Sequence, residues 1–323
     1  MNQVELIKAP ISKELKQFEA LFATAFDVSD NLLGSVLTHL QQRKGKQIRP
    51  ILVLLAAKLC GTINQNSHYV AAAFEMLHTA SLIHDDVVDN TFERRRQPSV
   101  NALFNNKTAV LVGDYLLTTS MDFMARAQNL DLTNCLVELG KEITIGELLQ
   151  LQNAYKEANE TNYYTIIRKK TAILFALCMQ GGAISTNGTD EQKKALRAFG
   201  ENLGICFQIK DDIFDYTPKA NIGKPIFNDI REGKITLPLI HALTKASENE
   251  RKTVSEIIKS GDFIDTNIMF LHELVSRYQG ILYAEKQMEE FRIKACNCLN
   301  NFADNDVKKA LLATLDYVLV RES

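Results

Sequence analysis

The apolar positions of this chain follow the spacing of amphipathic helices. Leu33, Val36, Leu37 and Leu40 occupy the i, i+3, i+4 and i+7 positions of one helical face. No sustained alternation of apolar and polar residues indicates strands, and Asn187-Gly188 lies between two helical patterns as an interhelical loop. The pattern predicts an all-α protein.

Proline marks where the longest helical stretch begins and ends. The chain has six prolines, and none occurs between Pro98 and Pro218. That interval is rich in Ala, Leu, Glu, Lys and Gln, which favour successive helices. No low-complexity linker or shift in composition divides the chain, so we expect one domain over residues 1–323. From Ala242 onward the sequence continues as amphipathic helices with few recognisable functional motifs. We interpret this part of the chain as scaffold.

Composition excludes several classes of protein. Of 323 residues, 46% are hydrophobic and 24% charged, which suffices for a large core and argues against disorder. The 37 basic and 39 acidic residues give a net charge of −2, which argues against nucleic-acid binding through bulk positive charge. The longest apolar runs, 51–57 and 172–179, are far shorter than the roughly 20 residues that cross a bilayer.

The N-terminal sequence and the cysteines suggest a reducing compartment. The segment MNQVELIKAPISKELKQF lacks the basic start and long apolar block of a secretory signal, so we expect the chain to stay in the cytoplasm. Six scattered cysteines show no paired zinc-binding spacing. We interpret them as reduced thiols that fill the core.

An acidic triplet ends the helical segment AAAFEMLHTASLIHDDVVDN. Asp85 and Asp89 lie one turn apart on one helix face, and His78 lies near Asp85 on that face. Two like charges at i and i+4 cost a helix roughly 0.2 to 0.5 kcal/mol. A positive partner would offset this repulsion, and a hard divalent cation is the obvious candidate.

A second triplet repeats the spacing 126 residues later, with Asp211, Asp212 and Asp215 after another apolar helical run. One such motif could be a solvated helix end. Two favour carboxylate clusters that face each other across a cavity and hold several Mg²⁺ ions with a diphosphate between them.

Basic residues that could bind phosphate occur in short segments interleaved with the acidic ones. Arginine pairs bidentately with phosphate oxygens, and lysine adds a point charge. These segments are Gly45-Lys46-Gln47-Ile48-Arg49-Pro50, Arg94-Arg95-Arg96, Lys169-Lys170-Thr171, Lys224 and Lys234.

Together these motifs carry a family resemblance. GKxxRP, H-x6-DDxxD-x4-RR, KT, GxxxQxxDDxxD and GK-x4-D-x2-EGK-x-TLP occur in one order along the chain. In that order and spacing the chain resembles the trans-isoprenyl diphosphate synthases, or polyprenyl synthetases, over nearly its whole length, especially the medium- and long-chain members. The resemblance implies a single-domain, isoprenoid-synthase-type helical bundle around a deep central cavity, and a homodimer.

The resemblance also assigns roles to residues. Asp85, Asp89, Lys170 and Asp211 would be catalytic, and roughly three Mg²⁺ ions would bind per active site with diphosphate. Asp85, Asp89 and Asp211 would be direct metal ligands, with Asp86, Asp212 and Asp215 as additional or outer ligands. The allylic diphosphate would be held by Arg94, Lys170, Thr171, Gln208, Lys224 and Lys234. Isopentenyl diphosphate would be held by Gly45, Lys46, Arg49, His78 and Arg95.

Three positions depart from the family pattern: Arg96 stands where glycine is usual, Phe227 interrupts GKPVGND, and Asn90 replaces a common acid. None removes a ligand position. They put loop closure and substrate affinity in question, and leave the reaction class unaffected.

The reaction implied by the resemblance is the ionisation of an allylic diphosphate and attack by the double bond of isopentenyl diphosphate. Short-chain members place aromatic rings four or five residues before the first aspartate, where this chain has Ser81 and Ala80. Leu77 and Phe74 come next along the helix, and Phe74 is either the floor of the tunnel or ordinary core. We therefore expect a product longer than fifteen carbons.

Four alternatives stay open at this point. The first is a shorter, geranylgeranyl-type synthase, and the second an all-α HD-type metal phosphohydrolase suggested by His78 and His84-Asp85. The third is a terpene cyclase, disfavoured because the chain has no Trp and only 8% aromatic residues. The fourth is a regulatory subunit, which would be expected to lose acidic residues that this chain keeps.

Overall fold

The computed structural model describes residues 3–29, 31–42, 47–94, 97–156, 159–217, 228–261 and 263–321. In these ranges the chain is almost entirely α-helical, which confirms the predicted fold class. The helices of the N-terminal half are α1 (Gln3–Lys8), α2 (Ser12–Thr24), α3 (Asn31–Gln41), α4 (Ile48–Cys60), α5 (Gln65–Val88), α6 (Val100–Phe104), α7 (Asn106–Arg126), α8 (Leu130–Asn153) and α9 (Glu160–Ile167), with a 3-10 turn at Ala9–Ile11. Those of the C-terminal half are α10 (Ile173–Ser185), α11 (Asp190–Asp215), α12 (Asn228–Arg231), α13 (Leu237–Lys245), α14 (Glu248–Ser260), α15 (Asp265–Arg277), α16 (Gly280–Cys298) and α17 (Asp306–Val320).

The chain divides into two compact units, each built from several stretches of sequence. The first contains Met1–Gly140, Leu177–Arg197 and Phe302–Ala313, and the second contains Lys141–Ala176, Ala198–Asn301 and Thr314–Ser323. The single domain expected over residues 1–323 stays a prediction.

Helix α5 is the centre of the first unit, where it packs along α7 and α4. It begins with a capping box: the Asn64 side chain accepts from the Ser67 amide at 3.2 Å, and the Ser67 hydroxyl accepts from the Asn64 amide at 3.3 Å. The alanines at 71–73 are fully buried. Their small side chains allow neighbouring helices to pack close to the α5 backbone. The first acidic motif is therefore built on a rigid, capped and buried helix.

A short antiparallel strand pair follows α5. Strand β1 (Glu93–Arg94) pairs with β2 (Gln97–Pro98), with Glu93 opposite Pro98. The sequence pattern does not predict it, since two-residue strands are too short to show an alternation of apolar and polar residues. This pair ties Arg94 to a defined position just beyond the first acidic motif.

The second unit has its own apolar core. Helix α13 packs on α15, α16 and α9, and Leu239, Leu271 and Val275 lie in the core at 1% exposure or less. Tyr216, also buried, shares a 3.0 Å hydrogen bond between its hydroxyl and that of Thr236. This contact joins the end of α11 to the start of α13 beside the second acidic motif.

Between α9 and α10 the helix passes through one π-helical turn, Arg168–Ala172. The sequence predicts a continuous helical run here but not the π turn. Such turns contain one residue more than an α-helical turn and are frequent at functional sites. This one contains the KT dipeptide Lys170-Thr171.

No described helix has both the length and the apolar character needed to cross a membrane. The six cysteines are reduced, and Cys135, Cys178 and Cys206 are buried, in agreement with the expectation of core-filling thiols. Burial raises the pKa of the Cys60 and Cys135 thiols to about 11.

Candidate active site

The first acidic motif lies at the C-terminal end of α5, and the geometry of that end positions it. Asn90 adopts the left-handed conformation with φ of 50°. The Thr91 amide donates to the Asp86 carbonyl at 2.9 Å, and the Asn90 amide donates to the Val87 carbonyl at 3.4 Å. These bonds form a Schellman motif, which stops the helix immediately after Asp89. The departure at Asn90 thus has a conformational explanation, because asparagine tolerates the left-handed region.

The three aspartates of this motif differ in their surroundings. Asp86 is 2% exposed and accepts a 2.6 Å charge-assisted hydrogen bond from Arg94 Nε. Asp85 and Asp89 are partly exposed. The middle carboxylate is thus committed to the fold, whereas the outer two are accessible to a ligand.

A cavity of about 660 Å³ opens beside this motif within the first unit. Its polar lining includes His78, Asp86 and Arg94, and its apolar lining includes Phe22 and Phe26 of α2. Two residues assigned to different diphosphates, His78 and Arg94, therefore border one cavity.

The second motif, at the end of α11, repeats this division of roles. Asp212 is 2% exposed and accepts hydrogen bonds from the Tyr163 hydroxyl at 2.6 Å and from Gln208 Nε2 at 2.8 Å. Asp211 and Asp215 are partly exposed. Asp215 also accepts from the Asn228 amide at 2.9 Å, which fastens the start of α12 to the motif.

A cavity of about 170 Å³ in the second unit gathers most of the residues predicted to hold the allylic diphosphate. Lys170, Thr171, Gln208 and Lys234 all line it, together with the buried Asp212. The Thr171 hydroxyl donates to Gln208 Oε1 at 2.8 Å, and Gln208 in turn donates to Asp212. Thr171, Gln208 and Asp212 thus form one hydrogen-bonded chain.

Both lysines of this cavity are held by a carboxylate. Lys170 forms an ion pair with Glu147, whose side chain is 16% exposed, and Lys234 forms one with Glu232. A lysine ammonium group has three N–H bonds, so one carboxylate partner does not by itself use all of its donors. The ion pairs orient the two ammonium groups at the cavity.

Glycine explains how α11 comes close enough to the π turn for these contacts. A Cβ atom at Gly204 would lie 2.5 Å from the Ala172 Cα, and one at Gly200 would lie 2.4 Å from the Phe175 carbonyl oxygen. Any side chain at these two positions would force the helices apart. The glycines therefore set the distance that brings Gln208 to Thr171.

A third glycine, Gly233, fixes the segment that presents Lys234. Gly233 has φ of 75°, and a Cβ there would lie 2.8 Å from the Tyr155 ring. The Tyr155 amide donates to the Gly233 carbonyl at 3.1 Å. The end of α8 thus holds the EGK segment against the cavity, which explains the glycine of that motif.

The donor set of the second motif suits a hard cation. Burial raises the pKa of Asp212 above its ordinary value, and the negative charge of Asp229 adds to this effect. Burial also raises the pKa of Asp229 to about 7, with a further contribution from Asp215 and an opposing one from Lys234. Burial is the main cause of both shifts, and the negative charges of neighbouring carboxylates add to it. A divalent cation bound here would counter that added negative charge.

Within the described ranges no three carboxylate, imidazole or thiolate groups converge on one point as a ready-made metal cage. Mg²⁺ normally takes one or two carboxylates and completes its shell with water and substrate phosphate. Two accessible outer carboxylates per motif fit that requirement.

The remaining predicted residues fall into three groups. Arg49 lies in the first turn of α4. Its positive charge partly opposes the increase that burial causes in the pKa of the Cys178 thiol. Phe74, Leu77 and Ala80 are buried on α5, and the Ser81 hydroxyl donates to the His78 carbonyl at 2.9 Å. Outside the described residues lie Gly45, Lys46, Arg95 and Lys224, together with the departures Arg96 and Phe227.

Sequence reasoning missed four residues that the structure places at or beside the site: Glu147, Tyr163, Asp229 and Arg321. Asp229 lies inside the quoted GK-x4-D segment, so the motif itself carried that signal. Glu147, Tyr163 and Arg321 belong to no motif, and only the fold brings them to Lys170, Asp212 and Asp211.

Comparisons with known proteins agree with this arrangement. The polyprenyl synthetase family model matches residues 30–273. The octaprenyl diphosphate synthase of Escherichia coli (strain K12) is 34% identical over 322 residues, which cover 99% of each chain. A polyprenyl synthase from Caulobacter crescentus CB15, solved with calcium and isoprenyl diphosphate, superposes with a TM-score of 0.93 at 29% identity, covering 99% of this chain and 98% of that one.

A geranylgeranyl pyrophosphate synthase from Bacteroides thetaiotaomicron superposes with a TM-score of 0.87 at 41% identity, covering 99% of this chain and all of that one. Fold and relatives together define an enzyme of the prenyltransferase class with the all-α isoprenoid-synthase fold. The chain belongs to the polyprenyl synthetase family.

Proposed function

We propose that this protein condenses isopentenyl diphosphate with an allylic diphosphate (geranyl, farnesyl or longer) and releases diphosphate, giving an all-trans polyprenyl diphosphate longer than fifteen carbons. The observation that carries the proposal is the cavity of the second unit. It unites Lys170, Thr171, Gln208 and Lys234 beside the second acidic motif.

The cavity residues bind and orient the leaving group. Lys170 and Lys234 supply positive charge where negative charge develops as the allylic carbon–oxygen bond breaks. Mg²⁺ held by Asp211 and Asp215 would supply further electrostatic stabilisation of that charge, and Asp85 and Asp89 are proposed to hold Mg²⁺ in the first unit. Glu147 and Glu232 fix the two ammonium groups, so little reorganisation is needed when the bond breaks.

Condensation then needs no protein nucleophile. The double bond of isopentenyl diphosphate attacks the allylic cation, a carbon–carbon bond forms, and a proton leaves to the departed diphosphate. His78 and Arg49, with Gly45, Lys46 and Arg95, are proposed to hold isopentenyl diphosphate. Arg94 is proposed to hold the allylic diphosphate, a role compatible with its fixed position on Asp86.

We propose that Ala80 and Ser81 let the growing chain pass along α5. Ala80 is 2% exposed and small. Phe74 is fully buried, and a Cβ at Gly181 would lie 2.9 Å from its ring, so its ring packs against α10. This contact supports a core-packing role for Phe74, and we propose that Ala80 and Leu77 set the product length.

Product analysis tests the reaction. The protein is incubated with Mg²⁺, labelled isopentenyl diphosphate and primers of several lengths, and the products are sized. We expect medium- or long-chain products, beyond fifteen carbons and not a single product of twenty, and omission of isopentenyl diphosphate should abolish turnover. Turnover of an allylic diphosphate alone would instead identify a terpene cyclase. A single twenty-carbon product would identify the geranylgeranyl-type alternative. The 41% identical solved structure, described as a geranylgeranyl pyrophosphate synthase, is the reason to test for it.

Substitution of Ala80 by Phe tests the tunnel. We expect shorter products at a similar total rate of isopentenyl incorporation. Leu103→Phe, at a 51% exposed position of α6 outside the acidic motif, is the control and should leave length unchanged. Unchanged product length in Ala80→Phe would contradict the assignment.

We also propose that the protein forms a homodimer through α7. This helix exposes large apolar side chains, with Leu111 at 68%, Met121 at 52% and Val110 at 41% exposure. A second copy would bury this surface. Light scattering should give twice the chain mass for the wild type and a lower mass for Leu111→Glu. A monomeric wild type would contradict the proposal.

A further inference from the structure

The second acidic motif carries an arginine from a distant part of the chain. Arg321 follows α17 directly, and its amide donates to the Tyr317 carbonyl at 3.0 Å. Its Nη2 donates to Asp211 Oδ1 at 2.6 Å and to the Phe207 carbonyl at 2.9 Å. A cation therefore lies on the one carboxylate of this motif that was predicted to bind metal directly.

Aromatic rings hold this guanidinium in place. Its central carbon lies 3.8 Å from the centre of the Phe207 ring and 5.6 Å from that of Phe214. Phe207, Asp211 and Phe214 share one face of α11, at i, i+4 and i+7. The guanidinium is thus stacked and hydrogen-bonded on that face, and its side chain is only 8% exposed.

The fit of this arginine to the protein is incomplete. Its Nε is buried and has no hydrogen-bond partner among the residues that the structure describes. A buried N–H group without a hydrogen-bond partner costs free energy. The Arg321–Asp211 contact is therefore less favourable than an ion pair in which every donor is satisfied. Contact with Asp211 gives the buried charge its carboxylate partner, while the Nε–H of the same guanidinium stays unsatisfied.

We infer that Arg321 is a positioning residue that occupies Asp211 until a diphosphate arrives. The inference rests on the proposed function in assigning Mg²⁺ to Asp211. A guanidinium and a divalent cation on the same carboxylate repel each other, and that repulsion disfavours metal loading of the substrate-free enzyme. Diphosphate is anionic and offsets the added positive charge, so the repulsion falls when substrate is bound. Arg321 thereby couples metal binding to substrate binding.

A structural role alone predicts a different result. If Arg321 only fastens the end of α17 to α11, its loss would loosen the motif and weaken metal binding. If it holds the place of the metal, its loss would strengthen metal binding in the absence of substrate. The sign of the change in metal affinity separates the two.

The experiment measures Mn²⁺ binding to the full-length, substrate-free protein from the electron paramagnetic resonance signal of free Mn²⁺. We expect Arg321→Gln to bind Mn²⁺ about tenfold more tightly than the wild type, because one unit of adjacent positive charge is removed. Arg321→Lys keeps the charge and should stay within about twofold of the wild type. Arg277→Gln, which removes an exposed ion pair with Glu250, is the matched control and should change nothing.

Three further measurements complete the test. Equilibrium dialysis with inorganic diphosphate present should shrink the difference between Arg321→Gln and the wild type to within about twofold. Adding Asp211→Asn to Arg321→Gln should remove the gain. Phe207→Leu, which weakens the stacking but keeps Arg321, should give a smaller gain and serves if Arg321→Gln fails to fold.

Equal or weaker Mn²⁺ binding by Arg321→Gln overturns the inference, as does an equal gain in Arg321→Lys. So does a gain that survives the loss of the Asp211 carboxylate. The proposed function fails separately, if the wild type with Mg²⁺ forms no prenyl product.

Discussion

The hydroxyl of Tyr163 donates a 2.6 Å hydrogen bond to Oδ2 of Asp212, and both groups are buried. This bond fixes the middle carboxylate of the second acidic motif, as Arg94 fixes Asp86 in the first. The middle carboxylate of each motif is thus held in one orientation, and the outer aspartates on either side of it remain partly exposed.

Replacing Tyr163 by Phe removes that bond and leaves Asp212 with Gln208 as its side-chain donor. We expect the unfolding free energy to fall by about 1–3 kcal/mol, because a buried acceptor loses a partner. Activity should fall severalfold. Tyr164→Phe, whose hydroxyl lies 3.4 Å from Gln287, is the control and should cost less. Equal effects of the two changes in urea denaturation would argue against a special role for Tyr163.

Lys170→Met should lower kcat/KM for the allylic diphosphate by roughly 10- to 100-fold, since a charge-assisted contact worth about 1.5–3 kcal/mol is lost. The adjacent Lys169→Met is the control, because Lys169 pairs with Glu142 and does not line the cavity. Steady-state kinetics with varied allylic substrate measure the difference. Similar losses in both variants would mean that general charge, not the position of Lys170, matters.

Gly204→Ala should destabilise the protein by about 1–3 kcal/mol, because its Cβ would lie 2.5 Å from Ala172 and force the helices apart. We expect activity to fall as Gln208 moves away from Thr171. Gly140→Ala in α8 is the control, because it makes the same substitution in a helix without a steric clash. Nothing lies within 4 Å of its Cβ position, so helix propensity predicts a gain of about 0.5–1 kcal/mol. Thermal unfolding should move in opposite directions for the two.

Asn90→Val should cost about 1–2 kcal/mol, because a β-branched residue is strained at φ of 50°. Asn90→Gly should leave stability within about 0.5 kcal/mol of the wild type, since glycine is the usual residue at this position of a Schellman motif. Urea denaturation of the pair isolates the backbone effect. A Val variant as stable as the Gly variant would show that the left-handed turn is dispensable.

His241 gives the protein one predictable response to pH. Its ring stacks on Tyr283 at 3.9 Å, and burial lowers the pKa of its imidazole, with Lys245 adding to the effect. A lowered folded-state pKa means that its contribution to stability is present above the unfolded value of about 6.5 and is lost as pH falls through the folded value. The melting temperature of the wild type should therefore drop more between pH 7.5 and 5 than that of His241→Gln. Parallel curves for the two proteins would contradict this.

Much of the fold could be predicted because helical periodicity and the absence of proline are local signals. The acidic motifs were equally visible, since Asp85 and Asp89, or Asp211 and Asp215, need only the right spacing on one helix. Helical spacing alone could not show which aspartate of each motif is buried, although the family resemblance had already set Asp86 and Asp212 apart as additional or outer ligands. Which one is buried depends on Tyr163 and Arg94, whose contacts arise only in the folded chain.

Long-range partners account for the rest of what the sequence could not show. Arg321 reaches Asp211 across 110 positions, and Glu147 reaches Lys170 from a different helix. Asn90 looked like a missing acid, yet its conformation shows that it ends α5. In each case the deciding information was a backbone angle or a contact between distant segments.

The π turn at Arg168–Ala172 has a consequence for anyone who redesigns this enzyme. It holds one residue more than α-helical winding would, so deleting a single amino acid there would restore a regular helix and rotate one flank against the other by about 100°. Such a deletion would leave composition and helix content almost unchanged. It would nevertheless rotate part of the KT segment, so that Lys170 and Thr171 could no longer both face the cavity. Alignments that treat a one-residue gap at this place as harmless would misjudge a catalytic change as a neutral one.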